Sequence, residues 1–400
     1  MKKINVGVIG LGERGMLILK DVILCIDKVN VVAVCDLYED RIEAAKNTVK
    51  NILGKEAVGE TDYKKVIDNP DVDAIVIMSA WESHTDIAVY SMKKGKAVAM
   101  EVGGAYSIKD CWNLVDTYEA TKTPFMFLEN CCFGRREMMV LNMKNLGLLG
   151  EIVHCDGRYA HDLRHEISNG RENRHYRLRN YLSRNCENYP THDLGPIAKV
   201  LDINHGNRIL TLTSTASKAA GLKEYIKTRK PDDEALMNAS FKQGDIVTTV
   251  LKCANGETIT LTLDTTLPRY YSRGFTVRGT KGMYEEVTDS VFLDREEDMQ
   301  KDFTWRKEEN GNASKYEAKY DHPVWKKYIE DGVQGTHDGM DWLEFNMFFN
   351  CLEEGTPMPI DVYDAATWMA VSVLSEESIS KGSAPVEIPD FTRGKWLLEN

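Results

Sequence analysis

A glycine-rich turn near the start of the chain constrains the fold more than any other feature. Residues 4–9 have the pattern of a short buried strand and residues 16–25 that of a helix, and Gly10-Leu11-Gly12-Glu13-Arg14-Gly15 stands between them. Glycines at this spacing allow a tight turn, let the backbone approach a pyrophosphate and permit close packing of helix on strand. The stretch therefore predicts a dinucleotide-binding start, with Gly10, Gly12 and Gly15 as binding residues.

An acidic residue stands where such a site needs one. The next predicted strand, 29–34, leads into Cys35-Asp36, about 20 residues after the last glycine. A carboxylate there accepts a hydrogen bond from the ribose 2′-hydroxyl and repels a 2′-phosphate, so NAD is predicted rather than NADP. Arg41 is close enough in the sequence to weaken that preference.

Strand and helix patterns alternate through the first third of the chain. Further strands are predicted at 73–78, 97–100 and 125–128, with helical patterns between them. This order predicts a parallel, doubly wound Rossmann sheet, in a domain that covers residues 1–130. Ligands of such sheets lie at the carboxyl ends of the strands. There the sequence has three polar clusters, which are Trp81 to His84, Glu101-Val102 and Glu129-Asn130.

After Gly150 the pattern changes to short strand-like runs with a period of two residues. Apolar side chains alternate with polar ones over 259–264, and Asn255-Gly256 is a strong hairpin signal before this run. The pattern predicts an α+β domain over 131–400, with an open, mainly antiparallel sheet and flanking helices. A strand is also predicted at 237–241, and the charged stretch 296–314 is predicted to be an exposed loop.

Composition excludes several classes of partner. The chain has 400 residues, which suits two domains, and its net charge of −12 without a basic block argues against nucleic acid or an anionic membrane. The apolar runs are too short to span a bilayer, and the start of the chain lacks a signal peptide pattern. Nine scattered cysteines then indicate reduced thiols, so a cytoplasmic location is predicted. An exposed sheet face in the second domain would favour a homo-oligomer.

The stretch 188–196, Asn-Tyr-Pro-Thr-His-Asp-Leu-Gly-Pro, is the candidate for the chemistry. Pro190 has its φ fixed near the helical value, so Tyr189 and His192 would lie at the amino end of a helix, where they can face a ligand. The same pattern also fits a plain helix start that Thr191 caps. His161-Asp162 and His165 lack a further ligand at metal-binding spacing, so no metal site is predicted.

Domain order and motifs together resemble the glucose-fructose oxidoreductase and inositol dehydrogenase superfamily over essentially the whole chain. Ordinary members carry Glu-Lys-Pro after the strand that ends here at Met100, and that lysine assists hydride transfer. This chain has Glu101-Val102-Gly103 instead. In this difference, and in the motifs at 81–84, 129–132 and 189–192, the chain is similar to glycoside hydrolase family 109. The best-known activity of that family is NAD-dependent α-N-acetylgalactosaminidase.

The resemblance implies two sets of binding residues. The contacts to NAD would be Glu13, Arg14, Asp36, Trp81, Glu82, Ser83, His84, Glu101, Val102 and Asn130. The sugar pocket would be lined by Tyr159, Arg177, Tyr189, Pro190, Thr191, His192 and Tyr271. Three of these residues also have a purely structural interpretation, because Tyr159 ends a strand, Arg177 lies among many arginines and Tyr271 has an equally placed neighbour in Tyr270.

Three positions depart from the pattern of the family. Relatives commonly have tyrosine where this chain has Phe133, tryptophan at Tyr176 and glycine at Asp193. By the resemblance, the tyrosine that relatives carry at the position of Phe133 abstracts a proton. Because phenylalanine cannot ionise, Tyr159, Tyr189 or His192 would have to take that role, or the activity differs.

The resemblance further implies a redox-neutral glycosidase reaction. Transient oxidation at sugar C3 acidifies the proton at C2, the C1 substituent leaves by elimination, water adds at C1, and C3 is reduced again. We hypothesise that His192 is the base at the C3 hydroxyl, because histidine titrates near neutral pH. Two alternatives stay open, namely a conventional NAD-linked sugar or polyol dehydrogenase and a non-catalytic NAD-binding sensor.

Overall fold

The computed structural model describes residues 3–294, 310–335 and 337–398, and most of the predicted loop at 296–314 lies outside these residues. The chain divides into two compact units. The first comprises 1–133 and 332–367, and the second comprises 134–331 and 368–400. The division after Phe133 lies close to the boundary predicted after residue 130. The return of 332–367 to the first unit had no signal in the sequence.

The strands form one sheet in each unit. In the first unit they are β1 (Ile4–Ile9), β2 (Val29–Cys35), β3 (Val58–Glu60), β4 (Ala74–Ile77), β5 (Ala97–Glu101) and β6 (Phe125–Leu128). In the second unit they are β7 (Ile152–Ala160), β8 (Ile209–Ala216), β9 (Ile246–Cys253), β10 (Thr258–Asp264), β11 (Thr276–Gly279), β12 (Gly282–Glu285), β13 (Ser290–Leu293) and β14 (Val386–Glu387).

The helices follow in chain order. They are α1 (Glu13–Asp21), α2 (Glu39–Leu53), α3 (Tyr63–Asp68), α4 (Trp81–Lys93), α5 (Ile108–Thr121), α6 (Arg135–Asn145), α7 (Arg164–Ser168), α8 (Arg177–Ser183), α9 (Thr191–Val200), α10 (Gly221–Arg229), α11 (Glu234–Met237), α12 (Ser314–Tyr320), α13 (Pro323–Asp331), α14 (Met340–Glu354) and α15 (Val362–Ser380). Two predicted starts have side-chain caps, because Asp62 accepts from the N–H of Lys64 and Ser107 from that of Asp110.

The first unit contains the predicted Rossmann sheet. Its strands are parallel, in the order β3-β2-β1-β4-β5-β6. All four residues of β4 are buried, as expected for a strand that has both faces covered. The strand order changes direction between β1 and β4, which is where sheets of this kind bind their ligands.

The second unit contains the predicted open sheet. Its order is β13-β12-β11-β7-β10-β9-β8-β14, with β7 and β10 parallel and the other neighbouring strands antiparallel. The predicted hairpin joins β9 to β10, and Gly256 has a φ of +109° in its turn. The fold class read from the sequence is therefore confirmed.

The predicted strand at 237–241 is wrong. The short helix α11 ends at Met237, and the Asp233 side chain caps it by accepting from the N–H of Leu236. The cap explains why Met237 is helical, and residues 238–241 form no strand.

Among the described residues, no helix is both long enough and apolar enough to cross a membrane.

Candidate functional site

The glycine loop of the first unit makes approaches that only glycine permits. Gly10 has a φ of +100°, and a Cβ atom on it would lie 2.3 Å from the backbone nitrogen of Ser79. A Cβ on Gly15 would lie 2.1 Å from the carbonyl oxygen of Gly10, which explains the close contact of α1 with the loop. At Gly12 the nearest such contact is Arg41 Nη1, at 3.8 Å, so the loop is open on that side.

The amino end of α1 directly follows this open side. The helix begins at Glu13, and no side chain of the described residues caps it. First-turn N–H groups have no acceptor within their own helix, and such groups bind phosphate. The loop therefore has the geometry of a pyrophosphate cradle.

Asp36 follows β2 and faces the glycine loop. Its Oδ2 accepts from the N–H of Leu11 at 2.8 Å, and its Oδ1 accepts from the N–H of Tyr38 at 3.1 Å. Arg41 Nη1 lies 3.6 Å from Oδ2. Because a carboxylate offers about four acceptor sites, capacity remains for ribose hydroxyls.

The predicted polar clusters follow three adjacent strands, β4, β5 and β6. Trp81 begins α4 and packs on Gly103, where a Cβ would lie 2.6 Å from the indole ring. His84 Nε2 hydrogen-bonds to the carbonyl oxygen of Ser79 at 2.8 Å, and burial lowers the pKa of His84 to about 4. Val102 is 1% exposed, so its side chain serves packing.

Asp341 joins two of the predicted residues and was missed by the sequence analysis. It lies in the first turn of α14 and is fully buried. Its Oδ1 accepts from Arg14 Nη2 and from Asn130 Nδ2, each at 2.8 Å. Its Oδ2 accepts from Arg14 Nη1 at 2.8 Å and lies 2.6 Å from His337 Nδ1. In the sequence, an aspartate in the first turn of a helix indicates only a favourable interaction with the helix dipole. It does not indicate a partner that lies hundreds of residues earlier.

Electrostatics keep this ion pair charged. Burial by itself raises the pKa of Asp341, but the hydrogen bonds from Arg14 and His337 outweigh it and hold that pKa well below its usual range. Burial lowers the pKa of Arg14, but the charges of Glu101 and Asp341 outweigh burial and raise that pKa above its usual value. Both groups are therefore ionised at any physiological pH.

Two further carboxyl groups lie near this pair. Glu101 Oε1 is 3.7 Å from Arg14 Nε, and burial, which Arg14 opposes, raises the pKa of Glu101 to about 7. Burial, and next the charge of Glu101, raise the pKa of Glu344 well above its usual value. Within the described part of the chain, neither Glu101 Oε2 nor the two oxygens of Glu344 accept a hydrogen bond.

These residues fit a dinucleotide. The Gly12 side of the loop and the amino end of α1 suit a pyrophosphate, and Asp36 suits a ribose. Glu101 Oε2, which accepts no hydrogen bond from the residues that the structure describes, is a further acceptor at the end of β5.

The second unit brings Tyr159, Tyr189 and His192 together. As predicted, Pro190 directly precedes a helix, and α9 begins at Thr191. The ring of Tyr189 lies 4.7 Å from that of His192 and 4.3 Å from that of Tyr159, between centroids. The Tyr189 hydroxyl is 3.4 Å from His192 Nε2. Two phenols and an imidazole therefore share one cluster at the start of α9.

Arg177 holds a positive charge over this cluster. Its guanidinium carbon lies 5.9 Å from the ring centre of Tyr159 and 5.2 Å from that of Tyr189. Its Nη1 donates to the Tyr159 hydroxyl at 3.4 Å, and its Nε lies 3.0 Å from a Glu166 carboxylate oxygen. Burial lowers the pKa of Arg177, but the surrounding phenol and carboxyl groups raise it well above its usual value. This cation would stabilise negative charge that develops on the Tyr159 oxygen.

His161 extends the cluster. From the sequence it was considered only as a possible metal ligand. Its ring lies 6.0 Å from that of Tyr159 and 5.2 Å from that of Tyr271, and its Nδ1 is 3.4 Å from the Tyr159 hydroxyl. Burial, and next the charge of Arg177, lower the pKa of His161. The two-residue spacing from Tyr159 was the available signal, since it puts both side chains on one face of an extended strand.

The structure distinguishes, by their exposure, candidate residues that the sequence could not tell apart. Tyr271 is 48% exposed and contacts His161, whereas its neighbour Tyr270 is 94% exposed. Thr191 is fully buried. Phe133 is buried in a short 3₁₀ turn of the first unit. Their roles toward a ligand stay predictions.

Glu187, directly before the 188–196 stretch, was also missed. It is fully buried, and burial raises its pKa to about 8 against the opposing effect of the backbone N–H groups of Tyr189 and Leu263. Its own N–H donates to Ser375 Oγ at 2.9 Å, and its carbonyl oxygen accepts from Ser372 Oγ at 2.7 Å. These contacts with α15 fix the start of the stretch.

Comparison with known proteins assigns the family. Residues 133–398 match the model of the glycosyl hydrolase 109 C-terminal domain, and residues 4–128 match that of the oxidoreductase family with an NAD-binding Rossmann fold. A glycosyl hydrolase family 109 protein of Solibacter usitatus is 37% identical over 98% of this chain and 89% of the relative. The chain belongs to glycosyl hydrolase family 109. The resemblance seen in the sequence is thereby confirmed.

Two further comparisons concern activity and fold in relatives of this family 109 chain. An alpha-N-acetylgalactosaminidase of Tannerella forsythia is 36% identical over 98% of this chain and 86% of that protein. A levoglucosan dehydrogenase solved with NADH and levoglucosan has a TM-score of 0.70 at 17% identity, over 97% of this chain and 100% of that chain. At this identity the second likeness is one of fold.

Proposed function

We propose that this family 109 chain is an NAD-dependent glycosidase that cleaves α-N-acetylgalactosaminides or closely related glycosides. Membership of family 109 carries the proposal, since the model of its C-terminal domain matches residues 133–398 and a family 109 protein aligns over 98% of this chain. The cluster of Tyr159, Tyr189 and His192 beside the Arg177 cation supports it, because aromatic rings and a fixed cation suit a sugar and its hydroxyl or N-acetyl groups.

The first unit would hold the cofactor. The turn from Gly10 to Gly15 would bind the pyrophosphate, and Asp36 the adenosine ribose. The segments 81–84 and 101–102, with Asn130, would contact the remainder of the molecule. When bound, NAD would supply a group that accepts hydride from a sugar carbon and returns it.

The second unit would hold the sugar and move its protons. His192 would take the proton of the C3 hydroxyl, and Tyr189, 3.4 Å from its Nε2, would orient the imidazole. Arg177 would orient sugar hydroxyls or an N-acetyl group. An Asp/Glu pair of the ordinary glycosidase kind is not needed, because this route forms no oxocarbenium ion.

Phe133 leaves removal of the C2 proton to another residue, and we assign it to Tyr159. The Tyr159 oxygen would accept the C2 proton while its own proton passes to His161 Nδ1, 3.4 Å away. The Arg177 donor, also 3.4 Å from that oxygen, would stabilise the charge in transit. As the C1–O bond breaks, its electron pair leaves with the departing oxygen, and the electron pair of the C2–H bond forms the C1–C2 double bond. Water then adds across this double bond, with its oxygen at C1 and a proton returned to C2 by Tyr159.

An assay with two simultaneous readouts tests the proposal. The purified protein, supplied with NAD+, is incubated with p-nitrophenyl α-N-acetylgalactosaminide while nitrophenol and NADH are followed. We expect nitrophenol release without net NADH, and deuterium at C2 of the sugar product when the reaction is run in D2O. An ordinary glycosidase would leave C2 unlabelled.

The same assay separates the alternatives. Net NADH from free sugars, without glycoside cleavage, would identify a dehydrogenase. Tight NAD binding without turnover of any glycoside or sugar would identify a sensor.

We further propose that the chain forms a homo-oligomer through the exposed face of the second sheet. Val250 is 45% exposed on β9 and pairs in register with Thr213 of β8 and Thr260 of β10. These three uncharged side chains form a small patch on the exposed face, and such a patch can contribute to a contact between copies of the chain.

A further inference from the structure

Arg14 and Asn130, two candidates for contact with NAD, are bonded to one carboxylate. Arg14 lies in the glycine-rich turn, at the start of α1, and Asn130 lies just after β6, so separate elements supply them. Both donate to Asp341, which α14 brings from the far end of the chain. The first unit thus ties its glycine loop and the end of its sheet to one buried group.

Asp341 cannot itself bind a ligand. Each of its oxygens already has two polar neighbours, from Arg14, Asn130 and His337, and its side chain has no exposed surface. A carboxylate offers about four acceptor sites. Any effect of Asp341 on a ligand must therefore pass through its partners.

Arg14 keeps the capacity to act on a ligand. A guanidinium has about five N–H donors, and Asp341 accepts from one on each terminal nitrogen. The Arg14 side chain is 30% exposed. Its Nη1 also lies 3.3 Å from His337 Nδ1 and its Nε lies 3.7 Å from Glu101 Oε1, so the donors left for a ligand are those that Asp341, His337 and Glu101 do not take. Those donors can meet the phosphate or amide oxygens of a dinucleotide.

We propose that Asp341 is a positioning residue of the dinucleotide site, which holds Arg14 and Asn130 in the orientation that binds NAD. The inference rests on the proposed binding of NAD by the first unit. It makes the segment 332–367 part of the cofactor site, although residues 1–130 alone carry the dinucleotide motifs.

Glu101 gives the physical reason why the position of Arg14 depends on Asp341. Glu101 Oε1 lies 3.7 Å from Arg14 Nε, and Glu101 Oε2 accepts no hydrogen bond from the described residues. Without the carboxylate of Asp341, this acid is the nearest competing partner for the guanidinium. The fork would then turn toward Glu101 and lose the orientation that the two bonds to Asp341 give it.

The first test compares Asp341→Asn with Glu353→Gln in the full chain freed of cofactor. Glu353 lies on the same helix, and its ion pair with Lys28, at 2.7 Å, involves no candidate cofactor residue. We expect the Kd for NAD+, measured by titration calorimetry, to rise about tenfold or more in Asp341→Asn. In Glu353→Gln it should change by less than about twofold. An unchanged Kd in Asp341→Asn would overturn the inference.

A double-mutant cycle separates positioning from a general structural role. If Asp341 acts partly through Arg14, then Asp341→Asn should raise the NAD+ Kd by a smaller factor in the Arg14→Gln background than in the wild type, and the factor that remains is the part that acts through Asn130. A merely structural role predicts that Asp341→Asn weakens binding by the same factor with or without Arg14. The double variant replaces both members of the ion pair by neutral side chains, so it can be measured if Asp341→Asn alone does not fold.

NAD+ binding by the wild-type chain distinguishes a failure of the proposed function from a failure of the role proposed for Asp341. If it does not bind NAD+, the proposed function fails. If wild type and Glu353→Gln bind NAD+ and Asp341→Asn binds it equally well, only the role of Asp341 fails.

Discussion

Glu187→Gln is the sharpest test of the electrostatics behind the 188–196 stretch. Burial raises the pKa of Glu187 from 4.5 to about 8. Between these values the native protein keeps a proton that the unfolded chain has lost, so the free energy of unfolding must fall as pH rises. The stabilising contribution is fully present below about pH 4.5 and is lost as pH passes about 8. Glutamine is neutral throughout, so the variant lacks this dependence.

The magnitude follows from the two pKa values. At about 1.4 kcal/mol per pH unit, a pKa near 4.5 in the unfolded chain and near 8 in the native protein corresponds to about 5 kcal/mol over the full range. We therefore expect the wild type to lose about 5 kcal/mol relative to Glu187→Gln between about pH 4 and pH 9. Any fixed difference in packing between the two side chains cancels, because only the change with pH is compared.

Urea unfolding followed by circular dichroism over this pH range measures the difference. Glu377→Gln is the matched control, since Glu377 lies on α15 and pairs with Lys381 at 2.5 Å with 41% of its side chain exposed. The difference between wild type and the control should vary with pH by less than about 1 kcal/mol. A difference between wild type and Glu187→Gln that stays constant within about 1 kcal/mol would refute the buried, protonated carboxyl group.

Three further outcomes are expected. Gly15→Ala should abolish NAD+ binding in calorimetry, because its Cβ would lie 2.1 Å from the carbonyl oxygen of Gly10; retained affinity would contradict the predicted cradle. His192→Ala should lower kcat for p-nitrophenyl α-N-acetylgalactosaminide by about a hundredfold or more, whereas exposed His165→Ala should not; equal rates would remove the base assigned here. Val250→Glu should reduce the mass measured by light scattering to that of the single chain, and a wild type that is itself a single chain would reject the homo-oligomer.

Short-range patterns predicted most of the first unit. The strand, the glycine turn and the helix that follows lie within about 20 residues, so spacing alone specified Gly10, Gly12 and Gly15. Asp36 was found because its distance from the loop is set by one strand–helix–strand unit. The helix start after Pro190 was likewise a local property, since proline fixes its own φ.

The errors arose where local signals were weak or competed. The run 237–241 has the composition of a strand, yet the helix that Asp233 caps ends at Met237, and residues 238–241 form neither helix nor strand. Strands β3 and β13 are short and were not predicted. Segment 332–367 had no composition that distinguished it from the second domain, although it belongs to the first unit.

The sequence by itself determined the Rossmann and open-sheet classes, the dinucleotide motif and the position of Tyr189 and His192, because each depends on the periodicity or backbone geometry of one short segment. Only the tertiary structure decided which distant side chains meet. The bonds of Asp341 to Arg14 and Asn130 span 327 and 211 residues, and the contact of His161 with Tyr271 joins β7 to the chain after β10. Burial of Glu187 also depends on α15, which supplies Ser372 and Ser375. Such contacts depend on which faces of separate elements pack together, and no local pattern encodes that choice.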